Sequence, residues 1–346
     1  MIHGKCHHHG EQHVCPVFKK GKKFDPINYR PISLTCICCK IMEHLVPSHI
    51  MGHSDRYNIL YKMQHGFRKK LHVVSCETQL IEFIDDVTKN IDNVNGQQTD
   101  CLIMDFSKAF DKVSHSLLVH KLQHYGIQGK TNRWIKSFLS GRTQCVLVEG
   151  ERSSFIDVKS GVPQGLGSSL FLFYINDMPD DIKSTVRLFA DDMTVYLTVS
   201  SFDITLQEDL DKLAIWEVKW MMKFHPDKCQ VLAITKKKTL IKKNYNLHDH
   251  TLEHVPSAKY LGVTITSDLK WESHATNISQ NANKTIGFLK RNLNISNGKI
   301  KEKAYISLVR PMVEYAIPVW DPYLQKDKYK IEMVQRSSTI SYKQVP

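Results

Sequence analysis

Two adjacent aspartates interrupt an apolar stretch of the chain. Val186 to Ala190 and Met193 to Val199 have the composition of strands, and Asp191-Asp192 lies between them. The segment therefore reads as strand, tight turn, strand. Neighbouring carboxylates on a buried turn repel one another, which is costly unless cations neutralise them. Side chains alternate along a strand, so the two aspartates aim differently and one of them can face a third carboxylate. The candidate is Asp105, which ends the apolar run Cys101-Leu-Ile-Met104 and reads as the tip of a buried strand. A strand-end carboxylate facing a hairpin-tip carboxylate can hold two divalent cations about 3.5–4 Å apart, which activate a hydroxyl and stabilise a leaving pyrophosphate. A solvated turn also suits Asp-Asp, and these residues alone leave both readings open.

Charge is arranged around this centre. The formal net charge is +12. Residues 1–80 carry 12 Lys and Arg against 5 Asp and Glu, residues 81–227 carry 15 against 21, and residues 228–310 carry 15 against 5. Basic flanks attract a polyanion such as nucleic acid, and an acidic centre suits metal ions. Lys-rich faces are also ordinary solvated surface, so charge supports nucleic-acid binding without deciding it. No apolar run approaches the ~20 residues of a membrane span, and the start MIHGKCHHHGEQHVC has no apolar core of a secretory signal. These features predict an intracellular chain without a membrane partner. The 9 Cys are scattered and odd in number, against a disulfide framework.

Along the chain, residues 1–23 read as a poorly ordered basic and His-rich start. Cys6, His7, His8, His9, His13 and Cys15 could bind a metal, but their spacing matches no zinc module. Ile32, Leu34, Ile37, Ile41 and Leu45 suggest a helix beginning within 28–46, and 107–125 reads as helical. Arg142–Val148 and Ser153–Val158 read as a hairpin around Glu149-Gly150. Leu206, Leu210, Leu213, Trp216 and Trp220 line one helical face. Cys229–Thr235 and Tyr260–Ile265 read as strands. From Trp271 a three–four apolar spacing predicts a long helix, with another over 304–315. This mixture is α+β.

Several segments resemble the ordered motifs of reverse transcriptases. Asp105-Phe-Ser-Lys-Ala-Phe-Asp111 is similar to the first aspartate motif, and Phe189-Ala-Asp-Asp192 to the hairpin motif. Asn28-Tyr-Arg-Pro-Ile-Ser-Leu34, Gln64-His-Gly-Phe-Arg68 and Ser160-Gly-Val-Pro-Gln-Gly165 resemble the fingers and template-side motifs. Asp227-Lys-Cys229 and Lys259-Tyr-Leu-Gly-Val263 resemble the fourth and fifth palm motifs. They occur in the family's order over residues 18–335, with the best match to jockey-like non-LTR elements.

The resemblance implies a right-hand polymerase palm, an antiparallel sheet packed on helices, with partial fingers and a helical thumb. Fingers would span 24–100, the palm 101–265 with an insertion around 115–158, the helical thumb 266–335, and a divergent tail 336–346. It implies an RNA-directed DNA polymerase that uses Mg²⁺ (or Mn²⁺), dNTPs, an RNA template and a DNA primer. Nuclear and cytoplasmic ribonucleoprotein location follows from the same family; the oligomeric state does not follow. Asp105 and Asp191 would ligate both metals with Asp192 beside them. Phe110 would be the steric gate against a 2′-hydroxyl. Arg68 would clamp the triphosphate, since a guanidinium matches phosphate oxygens bidentately, and Arg30 would help or be structural. Gln164 and Gly165 would line the nucleotide pocket, Lys228 would protonate or hold the pyrophosphate, and Lys259, Tyr260, Leu261 and Gly262 would grip the primer end.

The chain departs from the family pattern in places. LGSSLFLF, between Gly165 and Tyr174, is about two residues short, and about three residues are extra after Arg68. The resemblance implies a partial copy lacking the family's upstream endonuclease, the last residues diverge, and His225 stands where Asn is expected. These departures favour a catalytically impaired relic that still binds nucleic acid as the alternative; a two-metal nuclease is a more distant one. The helix after Gln164 is expected to bury Leu170, Phe171, Phe173 and Tyr174, with Ser168 and Ser169 as caps.

Overall fold

A computed structural model describes residues 11–34, 37–68, 75–92, 97–163, 166–293 and 297–343. Cys6, His7, His8, His9, Gln164 and Gly165 lie outside these residues. Among the described residues, no helix is long and apolar enough to cross a membrane.

Strands β1 (Glu11–Phe18) and β2 (Tyr29–Leu34) precede helices α1 (Ile37–Tyr57) and α2 (Cys76–Asp92). Strand β3 (Gln98–Met104), a 3-10 turn at Ala109–Lys112, α3 (His115–His124) and α4 (Gly129–Leu139) follow. Next come β4 (Thr143–Val148), β5 (Glu151–Arg152), β6 (Ile156–Asp157) and α5 (Leu166–Ile175). The centre holds β7 (Thr185–Phe189), β8 (Asp192–Val199), α6 (Thr205–Trp220) and β9 (Gln230–Ile234). Short strands β10 (Asn246–Leu247), β11 (His250–Thr251) and β12 (Glu253–His254) lead to β13 (Ser257–Tyr260) and β14 (Val263–Thr266). Helices α7 (Glu272–Asn292), α8 (Gly298–Leu308), α9 (Arg310–Glu314), α10 (Ile317–Trp320) and α11 (Gln325–Lys343) complete the chain. The expected α+β class holds.

The chain divides into two compact units. One contains residues 11–68, 105–193 and 207–226, the other 75–104, 194–206 and 227–343. In the second unit, β9 pairs antiparallel with β3, placing Leu102 opposite Val231, and β12 joins β9 in parallel. Leu80, Phe83 and Val87 of α2 pack with Leu232, Ile265, Ala275 and Trp320 in its core. The stretch expected as one strand over Tyr260–Ile265 is instead a hairpin. Leu261 and Gly262 both take positive φ, 44° and 88°, the conformation that two-residue hairpin turns require.

In the first unit, β1 pairs antiparallel with β2, Phe18 opposite Tyr29, and parallel with β4, His13 opposite Cys145. Residues 11–18, read above as part of a poorly ordered start, are therefore strand. Alternation in His13-Val14-Cys15 buries Val14, and backbone pairing on both sides stabilises a segment whose composition alone looked polar. Helix α1 also departs from expectation. Ile37, Ile41 and Leu45 are exposed, whereas Cys39, Glu43, Ile50 and Ser54 are buried. The apolar spacing marked a helix but not its inner face.

Helix α5 packs against α1 and α3. Leu170, Phe171, Leu172, Phe173, Tyr174 and Ile175 are all at most 1% exposed, so core packing governs this helix as expected. Each buried side chain contributes about 1.5–3 kcal/mol. The helix begins at Leu166, however, and the Gly167 N–H donates to the Pro163 carbonyl. Ser168 and Ser169 lie inside the first turns and are not caps; Ser169 is buried. The helix takes in the whole stretch that is short by comparison with the family pattern.

The C-terminal end of α5 is tied to α3 and α6 through one cation. Lys121 is 3% exposed, bonds the Tyr174 carbonyl and pairs with Asp177 at 2.5 Å. Its Nζ stands 3.5 Å from the centroid of Trp220 and 5.2 Å from that of Trp216, a cation–π enclosure. Trp216 Nε1 donates to Asp177 at 2.9 Å. Burial lowers the Lys121 ammonium to about 8, against the opposing pull of Asp177. Removing one partner of a buried ion pair leaves the other uncompensated. Lys121→Ala is therefore expected to cost about 3 kcal/mol, the low end of the range because Asp177 keeps some solvent. Denaturant unfolding checks this, and a loss under about 1 kcal/mol contradicts the role.

Candidate active site

The site residues of the first unit are brought together by backbone hydrogen bonds before any side chain matters. Asp105 follows the end of β3, and its carbonyl accepts from the His225 N–H at 2.7 Å, while the Ser107 N–H donates to the Lys223 carbonyl at 2.8 Å. Phe106 and Phe224 bridge antiparallel with rings stacked at 4.3 Å. Asp105 is thus gripped by the segment after α6. Beyond it the chain does not run into one helix over 107–125, as its spacing suggested. Lys108 takes φ 55° and a 3-10 turn follows. The Gly161 N–H donates to Val113 O and the Val162 N–H to Phe110 O, at 2.8 and 2.9 Å. A Cβ on Gly161 would lie 2.9 Å from the Asp111 backbone, so glycine alone allows this approach. The Ser160–Pro163 segment is thereby fastened to the first aspartate motif.

Asp191 and Asp192 follow a turn residue of unusual conformation, Ala190 at φ 56°. This turn is held by the Gln64–Arg68 segment. Met63 and His65 exchange backbone bonds with Leu188 at 3.0 and 2.9 Å, in a parallel bridge at Gln64. Gly66 packs so closely that a Cβ would lie 2.4 Å from the Ala190 nitrogen. Phe67, at φ 56°, and Arg68 follow directly. Strained residues of this kind persist where surrounding contacts over-determine them, commonly at functional sites.

Electrostatics tie the carboxylates together. Burial, then the neighbouring charges of Asp191 and Asp105, raise the Asp192 carboxyl to about 6. Burial and Asp105 also raise Asp191, against the lowering effect of Arg30 and Lys19. Asp105 thus raises both aspartates of the turn, where the sequence reading had only one of them facing it; Lys19 opposes the rise in both and Arg30 in Asp191. Among the described residues, no group of three or more His, Cys, Asp or Glu is set to hold a metal ion. Mg²⁺ in particular is held by one or two carboxylates plus substrate phosphates rather than by an all-protein cage, and this donor set fits that manner of binding.

Phe110 is half-buried on the 3-10 turn, its ring 4.6 Å from Phe171 and 6.4 Å from Phe67. It is thus partly a core residue, anchored to α5, and partly open. Arg68 lies 3.8 Å from Asp55, and its Nε is buried without a hydrogen-bond partner. Lys19 was not singled out by motif reading, because it falls in a segment read as poorly ordered. The signal was present in its place at the start of the Lys-rich loop that leads to Arg30. Gln64 and Gly66 were quoted only as parts of a motif; their contacts with Ala190 could not be read from spacing.

The remaining candidates belong to the second unit. Lys228 is exposed on the 3-10 turn Pro226–Lys228. Lys259 is exposed, whereas Tyr260 is buried and its hydroxyl accepts from Gln79 at 3.0 Å. Tyr260 is therefore a core anchor of the turn. The Tyr315 hydroxyl donates to Leu261 O at 2.8 Å, and the Tyr315 ring lies against Gly262.

Comparison with known proteins identifies the family of the chain. The chain is 28% identical over 342 residues to an RNA-directed DNA polymerase from the mobile element jockey of Drosophila melanogaster, covering 93% of this chain and 36% of that protein. It is 27% identical over 350 residues to a probable RNA-directed DNA polymerase from transposon X-element of the same species, with the same coverages. The chain thus spans about a third of the length of these relatives. Among solved structures, telomerase from Candida albicans, in complex with a fragment of telomeric RNA, matches with a TM-score of 0.51 at 11% identity, covering 97% of this chain and 63% of that one. Apo telomerase from Candida tropicalis matches with a TM-score of 0.52 at 12% identity, covering 96% and 62%. These likenesses extend to the fold. The family described as reverse transcriptase (RNA-dependent DNA polymerase) matches residues 18–265, most of the chain, and the protein belongs to that family.

Proposed function

We propose that this chain is the polymerase region of a non-LTR retrotransposon protein, adding nucleotides from dNTPs to a primer 3′-hydroxyl by two-metal transfer on an RNA template. The observation that carries this reading is the coupling of Asp105 with Asp191 and Asp192 beside the Gln64–Arg68 segment. Asp105 and Asp191 would hold Mg²⁺ (or Mn²⁺), with Asp192 beside them. The ions would supply a nucleophilic 3′-oxygen and charge for the leaving pyrophosphate. The unpartnered Nε–H of Arg68 is a donor for a triphosphate oxygen, and Lys19 and Arg30 add positive charge near the carboxylates. Phe110, braced by Phe171, would press on the sugar at the 2′ position. Gln164 and Gly165 would line the same pocket. The roles of Lys228 at the pyrophosphate and of Lys259–Gly262 at the primer end rest on their motifs alone, as does a nuclear and ribonucleoprotein location.

A second reading, a chain that binds nucleic acid without catalysis, is favoured by one observation. Helix α5 begins directly at Leu166 and takes in the whole shortened stretch between Gly165 and Tyr174, so two missing residues change the rotation of the helix that follows the nucleotide-pocket motif. Primer extension by the purified protein, with RNA and DNA templates, separates the two. Robust extension excludes the second reading; RNA binding without extension excludes the first.

Three outcomes follow. Asp191→Asn is expected to lower extension at least about 10³-fold, several kcal/mol of metal-borne stabilisation, with RNA affinity unchanged; unchanged extension removes the metal role. RNA affinity should fall a few hundredfold between 50 and 200 mM salt if about six phosphates are neutralised, and a flat profile argues against phosphate contacts. The third concerns pH. A carboxyl raised in the folded state favours its protonated form, so its stabilising contribution is complete below the unfolded value and is lost as pH rises through about 6. Without metal, Asp192→Asn should therefore raise the melting temperature at pH 7–8 and leave it unchanged near pH 4. A variant that melts lower at pH 8 contradicts the repulsion.

A further inference from the structure

We propose that Gln64 is a positioning residue: its side-chain oxygen fixes the aspartate turn and the Gly66–Arg68 segment in one shared geometry. The proposal rests on the polymerase reading for its purpose but not for its contacts. Gln64 is 1% exposed. Its Oε1 accepts from the Gly66 N–H at 2.9 Å and from the Ala190 N–H at 3.0 Å. An amide oxygen has two lone pairs, so its acceptor capacity is used in full, one bond on each segment. Ala190 holds a positive φ without glycine's freedom, and such a residue relies on outside contacts to stay there. The aspartates that follow it take their direction from that turn.

The identity of the residue carries the argument further. Gln64 Nε2 is buried and has no hydrogen-bond partner. The side chain thus satisfies two buried backbone donors while leaving one donor of its own unpaired. A leucine or methionine avoids that cost but cannot accept the two N–H bonds. A glutamate accepts them and leaves no orphan donor, but adds a fourth negative charge beside Asp191 and Asp192, which are already raised by burial and by Asp105. Glutamine accepts without adding charge. Gln64 thus links the segment bearing Arg68 to the turn bearing the metal ligands, so that metal and triphosphate are presented together.

Two variants test this, each read by amide exchange, Mn²⁺ binding, melting and primer extension. Gln64→Met removes the acceptor at similar volume. It is expected to speed exchange at Gly66 and Ala190 on the order of tenfold, the scale of one net hydrogen bond. It should also weaken Mn²⁺ binding and lower kcat, with a modest fall in melting temperature because two buried N–H groups lose their acceptor while one orphan donor is removed. Gln64→Glu keeps the acceptor. It should leave exchange near that of the natural protein but shift the pH midpoint of Mn²⁺ binding upward. A Gln64→Met protein that melts lower yet keeps exchange at Ala190 and Mn²⁺ affinity overturns the proposal in favour of mere packing. If Gln64→Met does not fold, Gln64→Glu decides: exchange at Gly66 and Ala190 that speeds up although the accepting oxygen is kept overturns it. Absence of extension in the natural protein defeats the polymerase reading alone. Loosened exchange and weakened Mn²⁺ binding in Gln64→Met then still support the positioning role.

Discussion

Repulsion among three carboxylates is the constraint around which this molecule is organised. Asp105 lies after one strand and Asp191 and Asp192 lie at a turn some 86 residues later, and each raises or is raised by another. The holding is done by backbone groups: His225 on Asp105, and Met63 and His65 on Leu188. Backbone hydrogen bonds suit the task because they add no charge to a site that already has too much of one sign.

The scaffold behind the site is as apolar as the site is charged. Helix α5 is buried on every side, and its far end is anchored by Lys121 within Trp216, Trp220 and Tyr174. Phe110 touches Phe171 of the same helix. A displacement of α5 would therefore move the ring proposed to face the sugar. Packing of several large side chains outweighs any single polar contact by several fold.

Motif order was legible without coordinates because it depends on chemistry that needs certain residue types: carboxylates at strand ends, glycines at close approaches, a guanidinium for phosphate. Amphipathic helices were legible where one face is strictly apolar, as in α6, whose Leu210, Leu213, Trp216 and Trp220 are buried. The same reasoning failed for α1, where Ile37, Ile41 and Leu45 are exposed and Cys39, Glu43 and Ser54 are inside. A short apolar repeat specifies a helical period; which face is covered depends on neighbours distant in sequence. It also failed for residues 11–18, whose strand exists through pairing with β2 and β4.

By itself the sequence determined the family and the α+β class, and it nominated Asp105, Asp191, Asp192, Phe110 and Arg68 as candidates through their resemblance to the family's motifs. Those follow from residue type and local spacing. Only the tertiary structure decided that Gln64 reaches Ala190, that Lys19 and Arg30 oppose the aspartates, that Tyr260 is an anchor in the core, and that Ser168 and Ser169 lie inside a helix. The physical reason is common to all four. Hydrogen bonds and charge interactions act over a few ångströms, and residues far apart along the chain come within that range only when the backbone has folded.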